Sequence, residues 1–240
     1  MFPSASHQRR LQTDTAPGWF DRRLREIDMF FQGSDRVHQT LGRVADKLEE
    51  AKISYAILGG MAVNAHRYER TTKDVDFLLT QDGLNRFRRL YVPVVFDAVS
   101  GRPRRFLDRE TGVTFDMLVT GLFPGSGRPG PVAFPDPDDV SEIIDNRHVV
   151  NMPTLIQLKL AAHRYQDFAD VVNLIHAHDL DESYLVQLHP AVHGDFIECL
   201  EEKRREDAYE AHLDQEIERL GLGNGDSGSA NSGDSSPPAG

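Results

Sequence analysis

An apolar segment that runs into two glycines, followed by a second apolar segment carrying two acids, constrains the fold of this chain more than any other feature. Residues 55–58 predict a buried strand, which Gly59 and Gly60 end before a short helix. A second strand then carries Asp74 and Asp76 on one face, because alternate side chains of a strand project to the same side. Unpaired buried charge is costly, so we expect a cation between these carboxylates.

The order of the predicted elements indicates a sheet followed by helices. Helical spacing of apolar residues predicts helices over 19–31 and 37–48, and strict alternation predicts a strand over 112–120. We therefore predict an α+β protein, with a small mixed β-sheet and flanking helices followed by a helical C-terminal domain. The predicted segments are a disordered N-terminus (1–17), an α/β domain (18–150), a helical domain (151–220) and a disordered tail (221–240). Further predicted elements are strands at 54–58, 74–79, 94–99 and 105–107, a strand or hairpin at 140–150, and helices at 61–68, 82–90, 154–178 (two, or one bent), 181–188 and 191–220.

Composition limits the class of protein. Apolar residues make up 39% of the 240, enough for a core, and no apolar run reaches the ~20 residues that span a membrane. The single cysteine, Cys199, excludes an internal disulfide framework and fits a reducing compartment. The first residues also lack the apolar region of a secretory signal, so we expect a cytoplasmic protein with no membrane partner.

The charge is unevenly distributed along the chain. A net charge of −11 argues against indiscriminate binding to nucleic acid. Basic residues nevertheless gather around the acidic pair, either as an ordinary solvated surface or as a track for a phosphate-rich substrate such as RNA. These residues are Arg67, Arg70, Lys73, Arg86, Arg88, Arg89, Arg102, Arg104 and Arg105.

The acidic pair has a candidate third partner. Two carboxylates ~4 Å apart repel by about 4 kcal/mol at an effective dielectric of about 20, so one pKa rises or a cation binds. Asp116 lies alone on the polar side of the strand at 112–120, and it can complete a cluster with Asp74 and Asp76 if the two strands are neighbours. Oxygen ligands suit Mg²⁺ or Mn²⁺, and three carboxylates suit a two-metal reaction on a nucleoside triphosphate. Asp116 can also accept the proton of the attacking hydroxyl.

The double glycine can approach a phosphate group, since Gly59 and Gly60 have no Cβ and the following helix begins with free N–H groups. An ordinary structural explanation exists for each of these residues. The glycines can serve a tight turn or close packing, and the acids can be surface groups paired with Arg70 or Lys73. No P-loop is present, and two G-x-G-x-x-G matches lack the strand–turn–helix context of a dinucleotide site.

Four polar residues further along the chain recur at helical spacing: Lys159, His163, Asp167 and Asp170. They predict one polar helical surface, with Tyr165 on the opposite, buried side. From such a surface Lys159 can reach a triphosphate, and Asp167 can orient it. The alternative is an ordinary ion pair within the helix.

Three motifs taken together resemble the nucleotidyltransferase superfamily related to DNA polymerase β. They are Leu58-Gly-Gly, Asp74-Val-Asp and Phe115-Asp-Met, and the resemblance covers roughly residues 37–180. Two departures are that thirteen residues separate Gly60 from Asp74, at the long end of the usual range, and that Gly60 replaces a frequent serine. The resemblance implies an NTP substrate, a divalent metal held by Asp74, Asp76 and Asp116, and nucleotide contacts from Gly59, Gly60, Arg70 and Lys159.

The fuller run from Gly59 to Asp76 is similar to the bacterial AbiEii-type branch, as is the run from Leu155 to Asp170. Several members of that branch are toxins of toxin–antitoxin pairs, so the resemblance also implies a cognate antitoxin. Our hypothesis is a metal-dependent nucleotidyltransferase that transfers a nucleoside monophosphate from an NTP to a hydroxyl of RNA (such as tRNA) or protein. The alternative is a catalytically inactive nucleotide- or partner-binding module of the same fold.

Overall fold

The computed structural model describes residues 19–220, so the predictions for 1–17 and 221–240 lie outside the described residues. The strands are β1 (Tyr55–Leu58), β2 (Val75–Leu79), β3 (Phe96–Ala98), β4 (Arg105–Asp108), β5 (Thr114–Val119), β6 (Ser141–Ile144) and β7 (Arg147–Val150). The α-helices are α1 (Trp19–Phe31), α2 (Arg36–Glu50), α3 (Gly59–Ala65), α4 (Gln81–Tyr91), α5 (Pro137–Val140), α6 (Met152–Ala162), α7 (Tyr165–His178) and α8 (His193–Arg219). None of the helices within 19–220 has both the length and the apolar composition needed to cross a membrane.

The seven strands of the described chain join one sheet in the order β3-β4-β5-β2-β1-β7-β6. Strand β2 runs parallel to β5 and β1 parallel to β7, whereas the other neighbours are antiparallel. The segment at 140–150, predicted as a strand or a hairpin, is the β6–β7 hairpin. A mixed sheet with flanking helices, followed by helices α6 to α8, confirms the predicted α+β class.

Strand β5 shows how the sheet separates a core face from a polar face. Phe115 is buried and Asp116 is partly buried, as the alternation in the sequence requires. Around Phe115, the rings of Phe87, Phe96 and Phe106 lie with centroids 5.1–6.1 Å away. This aromatic cluster seals one face of the sheet against α4, which leaves Asp116 on the opposite face.

A turn at His163 divides the segment 154–178 into two helices. Asn151 caps α6 by accepting a hydrogen bond from the Thr154 N–H at 3.0 Å, and His163 ends the helix with a left-handed φ of 52°. The predicted single polar surface is therefore wrong. Tyr165 is 98% exposed instead of buried, and His163 pairs with Asp195 at 3.2 Å.

Several boundaries differ from the predictions for local reasons. Helix α3 begins at Gly59, since the chain turns at the first glycine, where φ is +64°. Strand β2 begins at Val75, which leaves Asp74 just outside it. Asp136 caps the short helix α5, for which no helix was predicted. The 3₁₀ turns at Glu182–Gln187 and Pro190–Val192 replace a predicted helix and the start of the next.

Candidate active site

The three predicted acids converge at the middle of the sheet. Asp76 on β2 pairs in register with Asp116 on β5, its parallel neighbour. Paired residues of adjacent strands lie ~5 Å apart and project to the same face, so the expected strand neighbourhood is confirmed. Asp74 precedes β2 and its side chain is 61% exposed. Asp76 and Asp116 therefore form the centre of the cluster, and Asp74 lies at its solvent edge.

Gly59 lies directly against the Asp76 carboxylate. Its φ of +64° is a conformation that favours glycine, and a Cβ built on it would come 2.1 Å from Asp76 Oδ2. Gly60 has another reason to be glycine, because a Cβ there would lie 2.8 Å from the side chain of Thr72. The first glycine thus brings backbone to the acidic cluster, and the second allows close packing of α3 against the loop that leads to β2.

Asp76 is an acid without a local counter-ion among the described residues. Burial, together with the negative charges of Asp116 and Asp74, raises the pKa of Asp76 to about 6, although Lys159 and Arg164 oppose the shift. Within residues 19–220 no group donates a hydrogen bond to its carboxylate. A carboxylate that lies beside two other acids and accepts no hydrogen bond attracts a cation.

Arg105 on β4 supplies the counter-charge for the other two acids. Its Nε lies 3.1 Å from each carboxylate oxygen of Asp116, and its Nη2 donates to Asp116 Oδ2 at 2.7 Å. The same Nη2 reaches Asp74 Oδ1 at 3.4 Å. The sequence indicated only that Arg105 belongs to a basic stretch. The register of β4 against β5, which pairs Arg105 with Asp116, is the signal that identifies its position.

A cleft of about 300 Å³ opens over Asp76 and Asp116, near the lower end of small-molecule sites. Residues 123–127 of the loop after β5 form one wall, and α6 contributes Lys159 to the other. Arg104 and Arg164 line the same cleft. The sequence placed Arg104 only within a basic stretch, and no pattern singled out Arg164. Acids on the sheet therefore face three cations across a space open to solvent.

Lys159 and Arg70, both predicted to contact the nucleotide, meet at one buried carboxylate. Asp170 is fully buried, and it accepts a hydrogen bond from Lys159 Nζ at 2.6 Å and from Arg70 Nη2 at 2.9 Å. Burial alone would raise the pKa of Asp170, but the two cations hold it below its ordinary value. Asp167 lies 3.3 Å from Lys159 Nζ and also accepts from Arg164. Lys159 lines the cleft, whereas Arg70 ties the loop before β2 to α7.

The donor atoms of the acidic cluster fit a hard divalent cation, since all of them are carboxylate oxygens on one face of the sheet. As the side chains stand, residues 19–220 contain no group of three or more His, Cys, Asp or Glu that could hold a metal ion. Arg105 instead engages both oxygens of Asp116 and one oxygen of Asp74. Of the three acids, Asp76 is the one that Arg105 leaves unengaged.

Comparison with known proteins gives a limited result. No family model matches the chain, and no curated protein matches it. One similar solved structure is an antigenic nucleotidyltransferase-like protein from Paracoccidioides brasiliensis, at 17% identity and a TM-score of 0.38, over 58% of this chain and 73% of that one. Another is the antibiotic-resistance factor ANT(2'')-Ia, at 14% identity and a TM-score of 0.37, over 73% of this chain and 95% of that one. Both TM-scores are low, so the function has to be inferred from the residues and geometry of this chain itself.

Proposed function

We propose that the protein is a metal-dependent nucleotidyltransferase, which transfers a nucleoside monophosphate from an NTP to a hydroxyl acceptor and releases pyrophosphate. One observation carries the proposal. Asp76 and Asp116 lie side by side on paired parallel strands, with the Gly59 backbone against Asp76, at the floor of a cleft lined by cations. Two acids placed to hold a cation beside a glycine turn suit the binding of a triphosphate.

The charged residues in and beside the cleft have these roles in the proposal. Asp74, Asp76 and Asp116 would hold Mg²⁺ or Mn²⁺, which when bound would neutralise the triphosphate oxygens. Asp116 would also accept the proton of the acceptor hydroxyl at its carboxylate. Among the cations, Arg164 has a side chain that is 70% exposed, and both it and Lys159 would leave their ion pairs to meet the phosphates.

Pyrophosphate release tests the proposal directly. Purified protein is incubated with Mg²⁺, α-labelled NTPs and cell extract, and the label is traced to RNA or protein by nuclease and protease digestion. Asp76→Asn should lower pyrophosphate release about 100-fold or more, because charge stabilisation at the phosphates is lost. Asp97→Asn is the matched control, since Asp97 pairs on the surface with Arg109. Full release by Asp76→Asn would contradict the assignment.

The acceptor in this proposal is RNA, such as tRNA, or a protein hydroxyl. Exposed Arg102 and Arg104 lie in the connection between β3 and β4, and Arg104 lines the cleft. Phosphate groups of an RNA would meet these guanidinium groups before the 3′ hydroxyl enters the cleft. Label that resists nuclease and is removed by protease would instead identify a protein acceptor.

The AbiEii-type sequence resemblance supports a finer proposal, in which the protein is the cytoplasmic toxin of a toxin–antitoxin pair. Induced expression in a bacterial host should then arrest growth, Asp76→Asn should abolish the arrest, and Asp97→Asn should retain it. Unimpaired growth with the active protein would count against a toxin role without affecting the proposed chemistry.

A second candidate function is that of an inactive module that binds a nucleotide or a partner. The ion pair between Arg105 and Asp116 favours it, because a carboxylate bound to a guanidinium is less available to a metal or a proton. Calorimetry separates the two functions. The inactive module binds an NTP without releasing pyrophosphate in the presence of any acceptor fraction, whereas the enzyme releases it.

A further inference from the structure

We propose that Arg105 is an internal counter-ion of the acidic cluster, which a divalent cation must displace and which therefore sets the metal affinity of the site. The inference rests on the proposed function, since it concerns the same carboxylates. It assigns to one residue of β4 a regulatory role that the motif residues do not have.

The contacts of Arg105 coincide with the expected metal ligands. Its guanidinium engages both oxygens of Asp116 through Nε and Nη2, and Nη2 extends to Asp74. A bidentate contact of a guanidinium with a carboxylate is among the strongest hydrogen-bonded ion pairs in proteins. The Arg105 side chain is only 18% exposed, so water weakens this contact less than it would a surface pair.

A metal ion and the Arg105 guanidinium compete for the same negatively charged carboxylates. Arginine remains protonated at every pH relevant to the protein, so the repulsion between it and a divalent ion at the cluster cannot be relieved by proton loss. The oxygens that Arg105 occupies would also have to be shared with the metal. Cation binding at Asp76 and Asp116 consequently requires Arg105 to withdraw.

An ion pair that resembles the one between Arg105 and Asp116 lies just beyond the other end of β4. Just after β4, Arg109 donates to Asp97 through Nε at 2.9 Å and Nη2 at 2.6 Å. The chemistry is the same bidentate contact, but both side chains are at least 40% exposed, and neither lines the cleft. Arg109→Gln therefore removes one arginine from the protein without changing the acidic cluster.

Mn²⁺ binding, followed by electron paramagnetic resonance of the free ion, tests the inference without any turnover. Arg105→Gln should bind Mn²⁺ at least tenfold more tightly than the wild type, whereas Arg109→Gln should bind like the wild type. Arg105→Lys should fall between wild type and Arg105→Gln, because lysine keeps the charge but not the two-pronged contact. Circular dichroism establishes whether each variant is folded. If Arg105→Gln does not fold, the comparison of Arg105→Lys with the wild type tests the inference instead.

The outcomes separate the two proposals. If the wild type binds Mn²⁺ and Asp76→Asn does not, but Arg105→Gln binds no more tightly, the counter-ion role is overturned and the metal site stands. Weaker binding by Arg105→Gln also overturns it, and would make Arg105 a residue that positions Asp116. If no variant binds Mn²⁺ in an Asp76-dependent way, both the inference and the metal-dependent function fail.

Discussion

At the scale of single residues, two positions determine the character of the candidate site. Gly59 has a left-handed backbone and lies against Asp76, so its lack of a side chain is a steric requirement. Asp76 has a raised pKa because it is partly withdrawn from water and lies beside the negative charges of Asp116 and Asp74. These properties lead to two predictions.

Gly59→Ala should destabilise the protein more than Gly112→Ala. Both glycines have a positive φ, of 64° and 74°, and alanine in that region costs about 1–2 kcal/mol. At position 59 the new Cβ would collide with the Asp76 carboxylate, whereas at position 112 no atom of the described residues lies within 4 Å. Urea denaturation should show Gly59→Ala to be at least about 1 kcal/mol less stable than Gly112→Ala. Equal losses would show that the close approach to Asp76 is easily relieved.

Asp76→Asn should stabilise the metal-free protein at neutral pH. A carboxyl whose pKa rises from 3.8 to about 6 on folding binds its proton more tightly in the folded state. The wild type therefore loses stability as the pH rises from about 4 to 6, by up to about 3 kcal/mol, and the asparagine variant does not. Thermal unfolding in EDTA at several pH values measures the difference.

The surface acid Asp97 serves as the control, because its replacement by asparagine should change the stability in the opposite direction. Its hydrogen bond with Arg109 lowers the pKa of Asp97, so the ionised carboxylate stabilises the wild type above pH 3.8. Asp97→Asn should therefore be less stable than the wild type at pH 7.

A stability of Asp76→Asn equal to that of the wild type across this pH range would mean that Asp76 is better solvated than its position in the cleft indicates.

At the scale of elements, a buried ion network joins α6 and α7 to the loop before β2. Asp170 on α7 accepts from Lys159 on α6 and from Arg70 in that loop, so one carboxylate connects three segments. The network holds α6, and with it one wall of the cleft, close to the strand that carries Asp76.

Asp170→Ala should cost about 3–5 kcal/mol, since it leaves two cations poorly paired in the interior. Asp207→Ala is the control, because Asp207 forms an exposed pair with Lys203 at 3.0 Å and its loss should cost about 1 kcal/mol or less. The pKa of Asp170 is lowered on folding, so its contribution should persist above pH 3.8 and disappear as the pH falls below it. Chemical denaturation at pH 7 and pH 3 measures both effects, and similar losses for the two variants would contradict a buried network.

At the scale of the whole molecule, one hydrophobic core runs through the sheet and the C-terminal helices. Phe77 and Phe115 of the sheet belong to the same buried cluster as Leu155, Ile175 and Phe196 of α6, α7 and α8. The sequence predicts a domain boundary between residues 150 and 151, and that boundary stays a prediction. A shared core favours joint unfolding of the two parts.

Thermal unfolding should therefore occur in a single transition. Calorimetric and van't Hoff enthalpies should agree, and signals from backbone and tyrosine side chains should change together. Two separated transitions would instead support independent domains that meet near residue 150. Differential scanning calorimetry of the full chain distinguishes these outcomes.

Features that depend on residues close together in the sequence could be predicted, and features that depend on distant residues could not. The strand before the double glycine, the alternation of β5 and the common face of Asp74 and Asp76 depend on neighbouring residues, so periodicity was sufficient. The single polar surface containing His163 failed because His163 ends α6 in a left-handed conformation that glycine or asparagine usually adopts, so its residue type gave no sign of a helix end. The sequence could place Asp116 in the cluster only on the condition that its strand lies beside the strand of Asp76. Periodicity within one strand does not specify which strand pairs with it.

The sequence by itself determined the local elements around the acids and the class of the fold, because apolar spacing and glycine conformation act over a few residues. Only the tertiary structure decided that Arg105 holds Asp116 and that Arg70 reaches Asp170, one hundred positions along the chain. Those pairs depend on strand register and on the packing of α7 against the loop before β2. A charged side chain finds its partner by proximity in space, and no local pattern specifies that proximity.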